Sequence, residues 1–463
     1  MARTDTIAAI ATAMSDSGIG IIRISGDEAI EIADKVYRSK YGKKRLSDVE
    51  SHTIHYGFIY HNDVLIDEVM VAVMRAPNTY TKEDTVEIDC HGGVLVMTKI
   101  LETVIQNGCR LADPGEFTKR AFLNGRIDLS KAEAVMDLIH SKNEFALKAS
   151  MSQLKGSVSD KVRSLREDIL YEIAFIESAL DDPEHISLDG YREKLEQKTL
   201  SVKSDLKKLI DSADNGKLLK DGINTVIVGK PNVGKSSLLN ILVGEERAIV
   251  TSVAGTTRDT LEESIKLNGI GLNIIDTAGI RDTSDEVERI GVEKARKYAN
   301  NADLIIYVVD ASRELDENDE EIVKLIADKK VIVLLNKTDL DQVVSEEKFM
   351  TFVSENKDLR IIKTSTKENV GIDEFENTIQ EMFFGGEIAI NDEIYITNGR
   401  HKEALLEAYE SMDFVLNSLA DEMPEDFYSI DLMNAYASLG RIIGEEVGDD
   451  LVNEIFSKFC MGK

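Results

Sequence analysis

Cysteine is scarce in this 463-residue chain: Cys90, Cys109 and Cys460 are an odd number, lie far apart, and no pair has the spacing of a metal-ligand motif. Neither a disulfide framework nor a zinc site is indicated, and reduced thiols are expected. Also missing is any apolar run of the length needed to cross a bilayer, and residues 1–14 contain Asp5 and lack the apolar core and cleavage site of a secretory signal. A cytoplasmic protein without a membrane segment is expected. Positive net charge is absent as well. At −30 the chain has the wrong sign to hold nucleic acid through its general field, so any RNA contact has to be local or shared with another protein. No Pro/Gly/Ser-rich linker and no internal repeat marks a domain boundary.

Hydrophobic residues make up 43% of the sequence, enough to bury several cores, and the length suggests about three domains. Residues 1–124 alternate short β-rich runs (Gly20 to Ile24, His52 to Tyr60, Glu68 to Met74) with loops and short helices, which reads as a separate α+β domain. Residues 125–219 read as long helices. There Leu154, Val158, Val162, Leu165, Ile169, Ile173, Ile176 and Leu180 step by three and four as one continuous apolar stripe. Residues 220–385 carry the α/β segment described below, and residues 386–463 return to helix. One stripe there is Leu405, Tyr409, Met412, Leu416 and Leu419, another Leu432, Tyr436, Leu439 and Ile443. Neither helical block has an obvious core of its own, so the two are expected to pack together with the α/β domain inserted between them. From His401 to Lys463 there are 14 acidic against 4 basic residues, whereas Lys142 to Lys220 is rich in lysine. Solvated helix faces account for both; a basic RNA track is the sharper reading.

Residues 229–236, Gly229-Lys-Pro-Asn-Val-Gly-Lys-Ser236, fit the pattern G-x-x-x-x-G-K-[ST]. In that pattern glycines let backbone N–H groups wrap phosphates, Lys235 reaches the β and γ oxygens, and the Ser236 hydroxyl ligates Mg2+. The flanks suit such a loop: Ile223 to Val228 is an apolar, β-rich run, and Ser236 to Val243 reads as a helix whose N-terminus favours anions. Downstream, Asp276-Thr-Ala-Gly279 ends the apolar strand Leu272 to Ile275, where the aspartate can hold Mg2+ through water and Gly279 can meet a γ-phosphate by its N–H. Asn336-Lys-Thr-Asp339 ends the strand Val331 to Leu335. A carboxylate there can accept both N1–H and N2–H2 of guanine, which adenine does not offer, so GTP is expected rather than ATP. Thr364-Ser-Thr366 follows Ile361 and Ile362 at the place where guanine O6 is usually contacted, although the commoner Ser-Ala-Lys is not spelled.

Every one of these motifs lies at the C-terminal end of an expected strand, where doubly wound α/β sheets bind ligands. The GTP-binding set expected from these motifs is Asn232, Val233, Gly234, Lys235, Ser236 and Ser237; Asp276, Thr277, Ala278 and Gly279; and Asn336, Lys337, Asp339, Ser365 and Thr366. The position after Asp-x-x-Gly is Ile280, where Ras-type enzymes place the glutamine that orients attacking water. An apolar side chain does not do that, so positioning of water and neutralisation of charge fall elsewhere. Asn232 and the segment Thr251 to Asp259 can offer an amide oxygen and backbone carbonyls to a monovalent cation. Glu288 can reach back to orient water, but by spacing alone it is one of many surface carboxylates, and Arg258 or Arg281 is either an arginine finger or a solvated charge.

The run Asp276-Thr-Ala-Gly-Ile-Arg-Asp-Thr-Ser-Asp-Glu-Val-Glu-Arg-Ile-Gly291 resembles the MnmE (TrmE) family of tRNA-uridine modification GTPases. So do two segments outside the α/β domain: Pro114 to Arg126 is similar to the end of that family's folate-binding domain, and Phe459-Cys-Met-Gly-Lys463 to its C-terminal signature. The resemblance spans essentially the whole chain. It implies an N-terminal folate-binding and dimerisation domain (1–124), a helical domain in two parts (125–219 and 386–463), and a Ras-like GTPase domain (220–385). It adds Thr251, Ser252, Val253, Ala254, Gly255, Thr256 and Thr257 to the expected GTP-binding set. It further implies K+ held by Asn232, Thr251, Val253 and Thr256, Mg2+ held by Ser236 and Thr257, and water oriented by Glu288, with Lys235 and Asn232 completing the catalytic set. Two GTPase domains would meet face to face during hydrolysis.

Arg23, Glu87, Arg126 and Lys463 match family positions for a 5-formyl- or 5,10-methylene-tetrahydrofolate; a carboxylate can accept pterin N–H groups and arginines can pair with the folate's carboxylates. Without the resemblance, Arg23, Glu87 and Arg126 read as ordinary surface charges. Cys460 reads either as a lowered-pKa thiolate that handles a folate-derived carbon or as a small residue packing the terminal helix, the second being preferred; Cys90 beside His91 reads as strand and turn. The implied activity is modification of the wobble uridine of certain tRNAs at C5, with an FAD-containing partner, MnmG. An alternative is a ribosome-assembly GTPase without covalent RNA chemistry, and a third is a folate-binding regulatory protein that signals through GTP.

Overall fold

The computed structural model describes residues 5–42, 44–244, 263–267, 270–275, 302–326, 329–353, 359–384, 394–445, 447–459 and 462. In chain order the N-terminal part holds β1 (Ile7–Ile10), β2 (Ser17–Ser25), α1 (Ala29–Val36), β3 (Tyr37–Ser39), β4 (Thr53–His61), β5 (Val64–Met74), β6 (Thr85–Gly92), α2 (Val94–Gln106) and β7 (Arg110–Leu111). Helices α3 (Glu116–Leu123), α4 (Leu129–His140), α5 (Glu144–Lys155), α6 (Ser157–Asp181) and α7 (Tyr191–Asp221) follow. Next come β8 (Ile223–Val228), α8 (Lys235–Val243), β9 (Glu263–Leu267), β10 (Ile270–Ile274), β11 (Leu304–Asp310), α9 (Glu317–Ile326), β12 (Val331–Asn336), α10 (Glu346–Phe352), β13 (Leu359–Lys363) and α11 (Ile372–Phe384). The chain ends in α12 (Gly399–Ala420), α13 (Glu425–Ile443) and α14 (Asp449–Ser457). Two compact units result, one of residues 1–136, 153–195 and 411–463, the other of residues 137–152 and 196–410. Among the described residues no helix is long and apolar enough to cross a membrane.

In the first unit seven strands form one sheet in the order β3-β4-β5-β6-β2-β1-β7, antiparallel apart from the β1–β7 pair. Alternation decides its two faces. Ile22, Ile24, Ile59, Val71, Val73, Val86 and Ile88 point to one side and are sealed by Ile32 of α1 and by Met97 and Ile100 of α2. The other face carries Ile54, Tyr56 and, directly across the ladder from Tyr56, Met70; Ile54 is 65% and Met70 45% exposed.

The helical part of this unit departs from the sequence reading at one point. The stripe expected to run unbroken from Leu154 to Leu180 is cut, because α5 stops at Lys155 and Gly156 adopts φ 116° before α6 begins. A left-handed residue does not continue a right-handed helix, so Leu154 belongs to the preceding element. The buried line of α6 runs from Val158 through Val162, Leu165, Ile169, Ile173 and Ile176 to Ala179, with Leu180 45% exposed. Against it lies α13, whose Leu432, Leu439 and Ile443 are buried as their spacing predicts. Arg166, 5% exposed, bridges the pair by stacking 3.9 Å over the Tyr436 ring while pairing with Glu445. The early and late helical segments thus pack together.

The second unit contains a six-stranded sheet ordered β13-β12-β11-β8-β10-β9, parallel except for the edge strand β9. All residues of β11 and β12 are buried, the continuous apolar run of a sheet covered on both faces. Leu304, Ile306 and Val308 enter one core and Ile305, Tyr307 and Val309 the other. Strand β8 lies between β10 and β11, so the chain order reverses beside it, and the crevice at its carboxyl end is where such sheets bind ligands. The strand read from Leu272 to Ile275 is shifted slightly, to Ile270–Ile274, and β12 runs one residue further than read, placing Asn336 inside the ladder opposite Asp310.

Gly115, at the start of α3, has φ 69°, and a Cβ there would fall 2.6 Å from the Phe456 carbonyl oxygen and 2.7 Å from Phe459 Cβ. The end of α14 therefore closes on a backbone without a side chain. Gly115→Ala should destabilise the first unit by about 1–3 kcal/mol through strain and displacement of the C-terminal segment. Thermal denaturation together with the rate of limited proteolysis at the C-terminus checks it; an unchanged melting temperature and rate would contradict the contact.

Candidate functional site

The loop leaving β8 is built by its backbone. Gly229 has φ 147°, and a Cβ on it would sit 2.3 Å from the Val308 carbonyl; Gly234 has φ 109°, and a Cβ there would sit 2.2 Å from Asn336 Nδ2. Asn232, between them, is also left-handed at φ 63°. These conformations curl the chain back on itself ahead of α8 and aim successive N–H groups into the turn, an anion-binding concavity. Lys235 Nζ donates to the carbonyls of Gly229 at 2.6 Å and Lys230 at 2.7 Å. No ion pair reaches it among the described residues, and burial pushes its ammonium down to about 8. Asn232, Ser236 and Ser237 are exposed around it.

The base loops join this one through a single amide. Asn336, fully buried, donates from Nδ2 to the Val233 carbonyl at 2.8 Å and to Thr366 Oγ1 at 3.3 Å, while its Oδ1 accepts the Thr366 N–H at 3.0 Å. Asp339 accepts the Ser365 hydroxyl at 2.8 Å, which orients its carboxylate at the mouth of the crevice. The departure from Ser-Ala-Lys thus leaves the loop connected, because Ser365 and Thr366 supply the contacts. Lys337, at φ 65°, reaches back to Asp310 at 2.7 Å. Although burial works the other way, Lys337 and Ser312 hold the Asp310 carboxyl below its usual range. Asp310 was not among the expected residues; its only signal is an acid at the carboxyl end of an apolar strand.

Thr251 to Thr257, Asp276 to Gly279, Glu288, Cys460 and Lys463 lie outside the described residues. Of the groups expected to hold cations, Asn232 and Ser236 are described. An exposed amide oxygen carried on a left-handed turn suits a monovalent ion, and a serine hydroxyl in the first turn of α8 suits Mg2+. Among the described residues no group of His, Cys, Asp and Glu forms a metal site by itself.

A second constellation lies in the other unit. Arg23 on β2 and Glu87 on β6 are ladder partners, joined by a 2.7 Å bond from Nε to Oε1. Arg23 Nη1 donates to the Gly462 carbonyl at 3.1 Å, so Gly462 lies against the second strand. The guanidinium stands 5.8 Å from the Tyr80 ring and 5.7 Å from that of Phe117, and the Arg126 guanidinium lies 4.7 Å from the Tyr80 ring centroid. Arg126 is placed by the turn after α3, where Asn124 Nδ2 bonds the Thr81 carbonyl and Lys82 Nζ that of Gly125. Three of the four residues expected together are therefore gathered, and Gly462 joins them. Tyr80 and Phe117 were missed; aromatic residues one at a time carry no sequence signal. A flat heterocycle with N–H donors and an anionic tail suits such a set. Cys90 is not part of it: its thiol donates to the Gly20 carbonyl at 3.3 Å and burial pushes its pKa up to about 12.

The sheet order, the phosphate loop and the base loop tied by Asn336 define a P-loop GTPase domain of Ras-like topology, here in one chain with an α+β domain and a set of helices. Residues 129–460 match the family model of the MnmE helical domain and residues 6–126 that of the N-terminus of the GTP-binding protein TrmE. The tRNA modification GTPase MnmE of Lachnoclostridium phytofermentans is 59% identical, with all of both chains covered, and that of Clostridioides difficile is 50% identical over 99% of each. The chain belongs to the MnmE family of tRNA modification GTPases. A solved structure, the G domain of the T. maritima FeoB iron transporter, is 25% identical over 35% of this chain and 98% of that one, with a TM-score of 0.26.

A nucleotide seated in this loop would make its own binding pH-dependent through Lys235. Phosphates stabilise the ammonium, so its pKa is higher in the complex than the value of about 8 in the free loop. Binding then takes up a proton as pH rises through 8, and GTP affinity falls with further increase. Calorimetric titration at pH 8 in buffers of different ionisation heat should register uptake of roughly half a proton, absent in Lys235→Arg. No uptake would mean that the free amine is fully charged at that pH.

Proposed function

We propose that this chain is a K+-activated GTP hydrolase that, with an FAD-containing partner of the MnmG type, installs a (carboxymethyl)aminomethyl group at C5 of the wobble uridine of certain tRNAs, using a tetrahydrofolate one-carbon unit. Family membership supports GTP hydrolysis in tRNA modification. The observation that carries the finer reading is the cluster of Arg23, Glu87, Tyr80, Arg126 and Gly462. Glu87 can accept the N–H groups of a pterin, with Arg23 holding its carboxylate in place, and Tyr80 offers an aromatic wall. Arg23 is committed to Glu87 and to the Gly462 carbonyl. Pairing with the folate's own carboxylates therefore falls chiefly to Arg126, which is exposed. Lys463, next to Gly462 in the chain, is proposed to complete the pocket, and the role of Cys460 stays with the same segment.

On the nucleotide side we assign Mg2+ to Ser236 and Thr257, and K+ to Asn232 with Thr251, Val253 and Thr256. A monovalent cation there supplies the positive charge that an arginine supplies in other GTPases. Glu288 is assigned the orientation of water, since Ile280 has no polar atom for it. The GTPase domains of two copies would close over each other during turnover, while the N-terminal domains hold the homodimer; the exposed Ile54 and Met70 face gives that domain apolar surface to bury. The net charge of −30 fits a chain whose partner carries most of the tRNA surface, in the cytoplasm.

The test is a mass-spectrometric census of tRNA nucleosides from cells with and without the gene. C5-aminomethyl-type uridines should disappear, return with the wild-type gene and fail to return with Arg126→Ala. An unchanged census would sink the reading in favour of a ribosome-assembly or regulatory GTPase. Separately, Glu288→Ala should reduce GTP turnover by at least ~100-fold while GTP binding is retained; undiminished turnover would remove Glu288 from the mechanism.

A further inference from the structure

We propose that Lys230, clamped between Asp316 and Asp319 with Tyr307 behind them, is a positioning residue that fixes the phosphate loop for nucleotide entry. GTP binding would then depend on a side chain that does not itself meet the nucleotide. Lys230 is one of the variable positions of the loop motif, and its chemistry is not required by the pattern.

Its Nζ lies 2.9 Å from Asp316 Oδ2 and 2.7 Å from Asp319 Oδ2. The two acids hold each other through the start of α9: the Asp316 N–H donates to Asp319 Oδ2 at 2.9 Å, and the Asp319 N–H to Asp316 Oδ1 at 3.4 Å. This is the reciprocal arrangement of a helix capping box. Asp319 is 1% exposed, and its other oxygen accepts the hydroxyl of Tyr307, a fully buried residue of β11. Strand, helix N-terminus and phosphate loop are therefore bolted together at one ammonium.

What the clamp holds is the backbone that carries Lys235. The carbonyl of Lys230 is one of the two oxygens that Lys235 Nζ contacts, and the other belongs to Gly229, already wedged against Val308. Pro231 fixes φ at the next residue. From Gly229 to Pro231 the loop has little freedom left, and the lysine that meets phosphate is presented from a rigid seat. The clamp also cancels charge. Without Lys230, the carboxylates of Asp316 and Asp319 would stand uncompensated beside a phosphate site.

Steady-state GTP hydrolysis by the full-length protein tests this and does not depend on the folate reading. Lys230→Met should raise KM for GTP about tenfold, with most of the loss in kcat/KM carried by KM, and Lys230→Arg should restore it. Because Lys230→Met leaves Asp319 buried and unpaired, the double variant Lys230→Met/Asp319→Asn serves as the second probe. It should remain raised in KM, since the seat is still untethered. A wild-type KM in Lys230→Met overturns the proposal; a wild-type KM in the double variant reduces Lys230 to a charge shield and overturns the positioning role.

Discussion

The side chain of Asn336 is the interaction on which the nucleotide site depends. One buried amide meets the carbonyl of Val233 in the phosphate loop and both the N–H and the hydroxyl of Thr366 in the base loop. It does so from the end of a strand whose residues are all buried. Gly234 has to lack a side chain because that amide occupies the space a Cβ would take. The positive φ of Gly234 and the contact with Asn336 are therefore one constraint, and it brings together residues far apart in the sequence. The doubly covered sheet supplies the rigidity, since strands buried on both faces leave the loops at their carboxyl ends little room to drift.

The cluster around Arg23 depends on a different constraint, the packing of Gly462 against β1 and β2. Gly462, at φ 86°, would place a Cβ 2.4 Å from the Ile10 carbonyl, so the strand and the C-terminal turn touch backbone to backbone. Gly115 plays the corresponding part against Phe456 and Phe459. Gly115 and Gly462 thus carry structural requirements, each closing on backbone where a Cβ would not fit. Arg120, 8% exposed, is surrounded by Asp5, Glu83 and Glu116 at about the same spacing, 3.0 to 3.1 Å. That network anchors α3, and with it the turn that sets Arg126 over Tyr80.

Much of this was legible in the sequence because phosphate loops and parallel strands have local signatures. The β8 strand was read to the residue, and the helix after Gly234 to within one. Among the described residues, the phosphate loop follows the end of β8 and Asn336 ends β12. The helix break at Gly156 was missed because apolar spacing continues through it, and periodicity does not register one residue's φ. Tyr80, Phe117, Asp310 and the Lys230 clamp were illegible for another reason: each acquires its role from a partner brought close by the fold. The Arg23–Glu87 pair shows the difference. Neither residue stands out alone, and only the register of β2 against β6 makes them neighbours.

The treatment of buried charge separates structural groups from those that await a ligand. Arg166 is matched by Glu445, Arg120 by three carboxylates, Asp310 by Lys337 and Asp319 by Lys230. In each case the desolvation of an ion is offset by an opposite charge from the same chain, as burial demands. Lys235 breaks the rule among the described residues. Partly buried, it faces two neutral carbonyls, and its ammonium is correspondingly easier to deprotonate. A protein that keeps a cation in such a place forgoes stability there, and the deficit is removed when an anion of high charge enters the loop. The compensating charge would be that of a bound triphosphate, and the same desolvation that costs the free protein would then contribute to the grip on a nucleotide.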